Sequence, residues 1–207
     1  ADGTPEILVG TWIWDNEGNL NDVIDELADP TVDWHDEWDW NIATVAVDLD
    51  EDGDLEVVGS RAVYDHDGTM KFLLPFNDAA FPAIGDFDGD ERAEILLTGR
   101  NGISMVEHDG TVIFTNQEPV PPVGFNPYNR PATVHDFDGN GEVDFATSSG
   151  ETYAVYRPDL SIIWQTAVDD WSGVASGTAF DFLGDGQAEA MYCDEQFFYA
   201  YGQTGNT

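Results

Sequence analysis

The segment DFDGDERAEILLTG, residues 86–99, joins an acidic loop directly to an apolar strand pattern. Acidic side chains occupy positions one, three, five and nine of the loop, and an apolar run follows at once. The same arrangement recurs in register in DLDEDGDLEVVGS from Asp48, DFDGNGEVDFATSSG from Asp136 and DFLGDGQAEAMYCD from Asp181. The copies begin roughly 40 to 50 residues apart, a period typical of a four-stranded propeller blade.

The segments between the acidic loops have the pattern of short β-strands. Apolar stretches precede and follow each loop, as in IATVAV and LEVVGS around the copy at Asp48. Turn signals such as DHDG at 65–68 and EHDG at 107–110 separate them. Each unit therefore reads as strand, acidic loop, strand, turn, strand, turn, strand. The predicted fold is an all-β propeller of four-stranded antiparallel blades, with a β-sandwich as the alternative.

Two ranges interrupt this rhythm within what we interpret as a single domain, residues 1–207. Residues 15–40 and 117–131 are predicted to form long loops, which often carry function. The first contains NDVIDELAD at 21–29, the best helical candidate. It ends in the tryptophan-rich TVDWHDEWDW, which indicates either an inward-packing strand or a glycan-stacking surface.

Composition excludes several classes of partner. The chain has 42 acidic and 6 basic residues, a net charge of −36, so we expect it to repel nucleic acid and anionic lipid. No apolar stretch is long enough to insert into a membrane, and the start ADGTPEILVG lacks the pattern of a signal peptide. The one cysteine, Cys193, excludes an intrachain disulfide and is expected to be buried in a strand.

The acidic loops have the composition of a calcium site. Calcium takes six to eight oxygen ligands, and alternate side chains of a tight loop converge when glycine permits the turn, as Gly53 does at position six. The side chains at positions one, three, five and nine and the carbonyl at position seven are the candidate ligands. They are Asp48, Asp50, Asp52, Asp54 and Glu56; Asp86, Asp88, Asp90, Arg92 and Glu94; Asp136, Asp138, Asn140, Glu142 and Asp144; and Asp181, Asp185, Gln187 and Glu189.

The four copies differ in how completely they keep the motif. Glu91 replaces glycine at position six of the second copy, a mild departure, and Leu183 replaces the position-three oxygen of the fourth. We therefore expect three strong calcium sites and one weaker site. An EF-hand is excluded because it needs an acid at position twelve and flanking helices, whereas that position holds Gly59, Leu97, Thr147 or Tyr192.

The chain resembles the FG-GAP/VCBS repeat family, whose blades form integrin α-subunit propellers and many secreted bacterial proteins. The resemblance rests on VAVDLDEDGDLEVVGS (45–60), PAIGDFDGDERAEILLTG (82–99), ATVHDFDGNGEVDFATSSG (132–150) and ASGTAFDFLGDGQAEAMY (175–192). It implies a β-propeller with calcium in the hairpin between the first two strands of each blade. Such rings commonly have seven or eight blades. With about three full and two partial blades here, we expect an incomplete ring.

Three functions fit these features. The first is an extracellular or cell-surface module for adhesion or scaffolding, which binds a protein or glycan. The second is the propeller part of a secreted polysaccharide-degrading enzyme, although no G-x-S-x-G, H-E-x-x-H or phosphate-loop motif is present and we expect no catalysis. The third is a segment of a large surface or filament protein in which other chains complete the propeller.

Overall fold

The computed structural model describes residues 4–10, 12–23, 43–75, 80–119, 128–170, 172 and 175–206. In these ranges the chain forms β-strands, turns and loops, with no helix. The strands are β1 (Ile7–Val9), β2 (Trp12–Trp14), β3 (Leu20–Val23), β4 (Val45–Val47), β5 (Glu56–Val58), β6 (Ala62–Tyr64), β7 (Met70–Leu73), β8 (Ala80–Gly85), β9 (Glu94–Gly99), β10 (Gly102–Val106), β11 (Val112–Gln117), β12 (Thr133–His135), β13 (Asp144–Ser149), β14 (Thr152–Tyr156), β15 (Ile162–Ala167), β16 (Gly177–Phe180), β17 (Glu189–Cys193) and β18 (Phe198–Tyr201).

Consecutive strands pair into five antiparallel sheets within the described part of the chain. Sheets 2, 3 and 4 have four strands each, β4–β7, β8–β11 and β12–β15, in sequence order. Sheets 1 and 5 have three strands each, β1–β3 and β16–β18. The predicted all-β architecture of four-stranded antiparallel blades is confirmed.

The sheets pack face to face in chain order. Successive residues of one strand face opposite neighbours: in β9, which belongs to sheet 3, Ile95 and Leu97 pack against sheet 2, whereas Leu96 packs against sheet 4. The alternation of a pleated strand therefore makes both faces of an inner sheet apolar. The first strands contact one another in turn, β4 with β8, β8 with β12 and β12 with β16. Sheets stacked around a row of inner strands are the blades of a β-propeller.

A buried polar cluster joins sheets 4 and 5. The guanidinium of Arg130 is fully buried, and its Nε lies 3.1 Å from a carboxylate oxygen of Asp170. Arg130 also donates to the carbonyl oxygens of Gly150 and Asp170, each at 3.0 Å. The hydroxyl of Tyr192, on β17, donates to the same Asp170 carboxylate. The cluster links the connections before and after sheet 4, and the sequence analysis did not identify it.

The two outermost sheets are packed on one face only in the described part of the chain. On sheet 1, Val9 and Trp12 are more than half exposed, and on sheet 5 the same holds for Phe182 and Phe198. In the inner sheets the corresponding positions are buried under a neighbour; Phe137, for example, corresponds to Phe182. The arc of five sheets is therefore unclosed, as expected.

Some sequence expectations are corrected or lie outside these ranges. Cys193 is exposed rather than buried, because strand alternation turns it to the uncovered face of sheet 5. Residues 20–23, assigned to a long loop and partly to a helical candidate, form β3. Gln117 ends β11, so the proline-rich segment starts after it. The tryptophan-rich stretch and most of both long segments lie outside the described residues.

Candidate metal centre

The four acidic loops, residues 48–56, 86–94, 136–144 and 181–189, connect the first two strands of sheets 2 to 5. We name each by its first residue. Every loop has left-handed backbone at positions four and six, which is the geometry that favours glycine. The residues with positive φ are Glu51 and Gly53, Gly89 and Glu91, Gly139 and Gly141, and Gly184 and Gly186. Position six was expected from the sequence, whereas the same requirement at position four was not.

The acid at position one organises the turn. In the Asp136 loop, its carboxylate accepts hydrogen bonds from the amides of Gly139 and Gly141, both at 2.8 Å. Asp181 makes the equivalent bonds at 2.6 and 2.9 Å, although its loop lacks the position-three oxygen. The backbone shape is therefore common to all four loops and does not depend on a full set of acids.

The acid at position nine is buried at the base of the loop. Glu56, Glu94 and Asp144 have no exposed surface, and each accepts a hydrogen bond from the position-two amide at 2.8, 2.5 and 3.1 Å. The other carboxylate oxygen of each is buried without a hydrogen-bond partner. For Glu56 the Lys71 ammonium lies 3.5 Å from this oxygen. A buried carboxylate oxygen without a hydrogen bond is costly, so its recurrence in three loops suits a cation ligand.

The carboxylates of three loops converge. Ligand atoms lie within 4.8 Å of one another in four groups of the described residues, which are Asp48, Asp50 and Glu56; Asp86, Asp88 and Asp90; Asp88, Glu94 and Glu107; and Asp136, Asp138 and Asp144. Hard oxygen ligands of this kind suit a calcium ion, so the residues present fit the metal that the sequence predicts. Glu107 was not among the predicted ligands.

The remaining predicted residues lie in the same loops with other observed contacts. The position-five oxygens of Asp52, Asp90, Asn140 and Asp185 each accept a hydrogen bond from the position-seven amide, at 2.9, 2.8, 2.6 and 3.1 Å. These bonds orient residues Asp54, Arg92, Glu142 and Gln187, whose carbonyls were predicted to bind metal. The Arg92 guanidinium itself turns away and bonds to the ring of His108 at 2.8 Å.

Burial and crowding of charge perturb these acids. Burial is the main cause that raises the pKa of Glu94 to about 7. The hydrogen bond from the Phe87 amide lowers this pKa, whereas the nearby carboxylates of Asp88 and Glu107 raise it further. Burial likewise raises the pKa of Asp144 to about 6. Without metal Glu94 is therefore partly protonated at neutral pH and Asp144 becomes protonated below about pH 6, and a bound cation would displace the proton.

The Asp181 loop differs from the other three. Glu189 still accepts bonds from the amides of Phe182 and Leu183, at 2.7 and 3.2 Å. The Leu183 side chain, at the position of the missing oxygen, is exposed, and no converging acid group occurs in this loop among the described residues. A weaker site in this loop stays a prediction.

The fold and its loops define the class of protein, which is a set of β-propeller blades whose first hairpin carries an acidic loop that could hold a metal ion. Residues 86–147 match the FG-GAP-like repeat. Comparison with curated protein sequences gave no significant match.

Solved structures share the fold at low sequence identity. The V. cholerae biofilm matrix protein Bap1 matches 99% of this chain and 58% of its own, with a TM-score of 0.66 and 15% identity. A rhamnogalacturonan lyase of Bacillus licheniformis matches 79% of this chain and 41% of its own, with a TM-score of 0.57 and 20% identity. BBS1N, solved in complex with ARL6DN, matches 96% of this chain and 60% of its own, with a TM-score of 0.60 and 12% identity. The chain thus spans about half of the length of these structures.

Proposed function

We propose that this chain is a calcium-binding segment of an extracellular β-propeller that serves as a binding, adhesion or scaffold module. The observation that carries the proposal is the buried carboxylate oxygen without a hydrogen-bond partner at position nine, which recurs in Glu56, Glu94 and Asp144 at the base of three loops. Calcium would be held there by the acids of each loop. It would neutralise their repulsion and fix the first hairpin of the blade.

Several features support a location outside the cell or on its surface. Extracellular modules bind calcium at the high concentrations found there, which suits loops that are open to solvent. One structural neighbour is a biofilm matrix protein, which supports this location. The strong negative charge favours a protein or glycan partner over nucleic acid.

The exposed apolar faces of sheets 1 and 5 bear on assembly. The corresponding faces of the inner sheets are covered by a neighbouring blade, so Val9, Trp12, Phe182 and Phe198 are suited to the same kind of contact. We propose that further blades, from the same protein or from another chain, cover these faces and complete the propeller.

Thermal unfolding with and without calcium tests the proposal. Each site filled at about 100 times its dissociation constant stabilises the fold by roughly 2.7 kcal/mol, so the midpoint should rise by several degrees or more. The triple variant Glu56→Gln, Glu94→Gln, Asp144→Asn keeps the acceptors for the loop amides and should lose most of the calcium-dependent shift. An unchanged midpoint for the wild-type protein in calcium and in chelator would refute the proposal.

A polysaccharide-degrading role is the second candidate. A groove of about 390 Å³ separates the Asp86 loop from the turn that begins at Arg157, and Asp88 and Asp159 are among its lining residues. The groove and the likeness to a rhamnogalacturonan lyase favour a glycan ligand. Of the two possibilities, we propose that the chain binds a glycan without cleaving it. Release of new reducing or unsaturated ends from a panel of acidic and neutral polysaccharides would contradict this choice.

A further inference from the structure

The residue directly opposite the position-nine acid differs from blade to blade. In sheet 3, Val106 pairs with Ile95, so the next residue, Glu107, lies opposite Glu94. The equivalent register places Asp65 opposite Glu56 in sheet 2 and Arg157 opposite Asp144 in sheet 4. This residue begins the turn between the third and fourth strands, outside the acidic motif, so the motif alone does not reveal it.

In sheets 2 and 4 a positively charged side chain of the protein itself lies beside the acids of the loop. The Lys71 ammonium lies 2.6 Å from an oxygen of Asp50 and 3.5 Å from the buried Glu56 oxygen. The Arg157 guanidinium lies 2.5 Å from an oxygen of Asp138. Both loops therefore have part of their negative charge offset from within the chain.

Sheet 3 has the opposite arrangement. Asp88, Glu94 and Glu107 bring carboxylate oxygens within 4.8 Å of one another, and one Glu94 oxygen is fully buried without a hydrogen-bond partner. Among the described residues, no lysine or arginine nitrogen comes within 4.0 Å of Glu94 or Glu107. Like charges that face each other across a strand pair are destabilising, and a bound cation would remove this penalty.

We propose that Glu107 is an additional ligand of the Asp86 loop and makes it the tightest calcium site of the chain. The inference rests on the proposed function, since it concerns the same metal. The number and charge of oxygen ligands set calcium affinity. Lys71 and Arg157 lower the affinity of the Asp48 and Asp136 loops by competing with the ion for Asp50 and Asp138.

Amide NMR resolves the loops separately during a calcium titration. The amides of Gly53, Gly89 and Gly141 report the Asp48, Asp86 and Asp136 loops, and Gly89 should respond at the lowest calcium concentration. Glu107→Gln should weaken the response at Gly89 by about tenfold or more and leave Gly53 and Gly141 unchanged. Arg157→Gln should strengthen the response at Gly141.

Glu91→Gln is the matched control, because it removes the same charge from an exposed position in the same loop that is not in the converging group. It should weaken the response at Gly89 by less than about threefold. Equal effects of Glu107→Gln and Glu91→Gln would overturn the role of Glu107 and leave calcium binding intact. No response at any of the three glycines in the wild-type protein would instead refute the proposed function.

Discussion

At the scale of single residues, loop shape and loop chemistry are separate requirements. Positions four and six need a left-handed backbone, and positions one and nine need an acceptor for loop amides. The Asp181 loop meets both requirements, yet it lacks a converging acid group in the described residues. A loop can therefore keep its backbone shape after losing the acidic side chain at position three.

Glu91 has a φ of 73° at position six, where the three other loops have glycine at φ 87° or more. A side chain costs about 1–2 kcal/mol in this conformation, and glycine's greater freedom in the unfolded chain offsets part of the gain. Glu91→Gly should therefore stabilise the protein by about 0.5–1 kcal/mol in urea unfolding. Glu91→Gln is the control, since it removes the charge but keeps the strain. Equal stabilities of the two variants would contradict the backbone explanation.

At the scale of elements, packing between sheets combines apolar faces with a buried ion pair. Arg130 and Asp170 are both buried and come from the two connections that flank sheet 4. Removing one member of such a pair leaves the other charge unpaired in a low-dielectric environment. This cluster therefore sets how sheets 4 and 5 meet.

Asp170→Asn should destabilise the protein by about 3 kcal/mol or more, because it strands the buried Arg130 charge and weakens the acceptor of the Tyr192 hydroxyl. Asp159→Asn, at an exposed turn position, should change stability by less than about 0.5 kcal/mol. Urea unfolding of both variants in saturating calcium measures the difference. A mild effect at Asp170 would show that the pair is dispensable for packing.

At the scale of the whole molecule, a residue's role depends on whether a blade follows it. The position-two residue of the Asp48, Asp86 and Asp136 loops packs under the next blade, as Phe137 does beneath sheet 5 with 1% exposure. Phe182 occupies the same position in the outermost blade and is 56% exposed. The same side chain at the same motif position is therefore core in one blade and surface in another.

Phe137→Ala should cost about 3–5 kcal/mol, since it opens a cavity between two sheets. Phe182→Ala should cost less than about 1 kcal/mol in a chain of residues 1–207, since its side chain is largely hydrated already. Unfolding in urea, with mass measured by light scattering, tests the pair. A large cost at Phe182 in a monomeric sample would show that its face is covered within the chain.

Much of the fold and of the candidate site could be predicted from the sequence. The repeat of acidic loop and apolar strand determines the five sheets, because strand alternation and loop acids are local patterns. The left-handed position four was missed, since Glu51 stands there in one copy and no acid pattern marks it. The burial expected for Cys193 was wrong, since an apolar run does not show which face of a strand is covered.

The sequence by itself determined the blade repeat and the acids at positions one to nine of each loop, because these contacts lie within a few residues of one another. Only the tertiary structure decided that Glu107 stands opposite Glu94, whereas Lys71 and Arg157 lie beside the acids of the neighbouring blades. The register of paired strands decides which side chains meet, and that register depends on how each hairpin closes. The calcium affinity that we propose for each loop therefore depends on the whole blade and cannot be predicted from the loop motif alone.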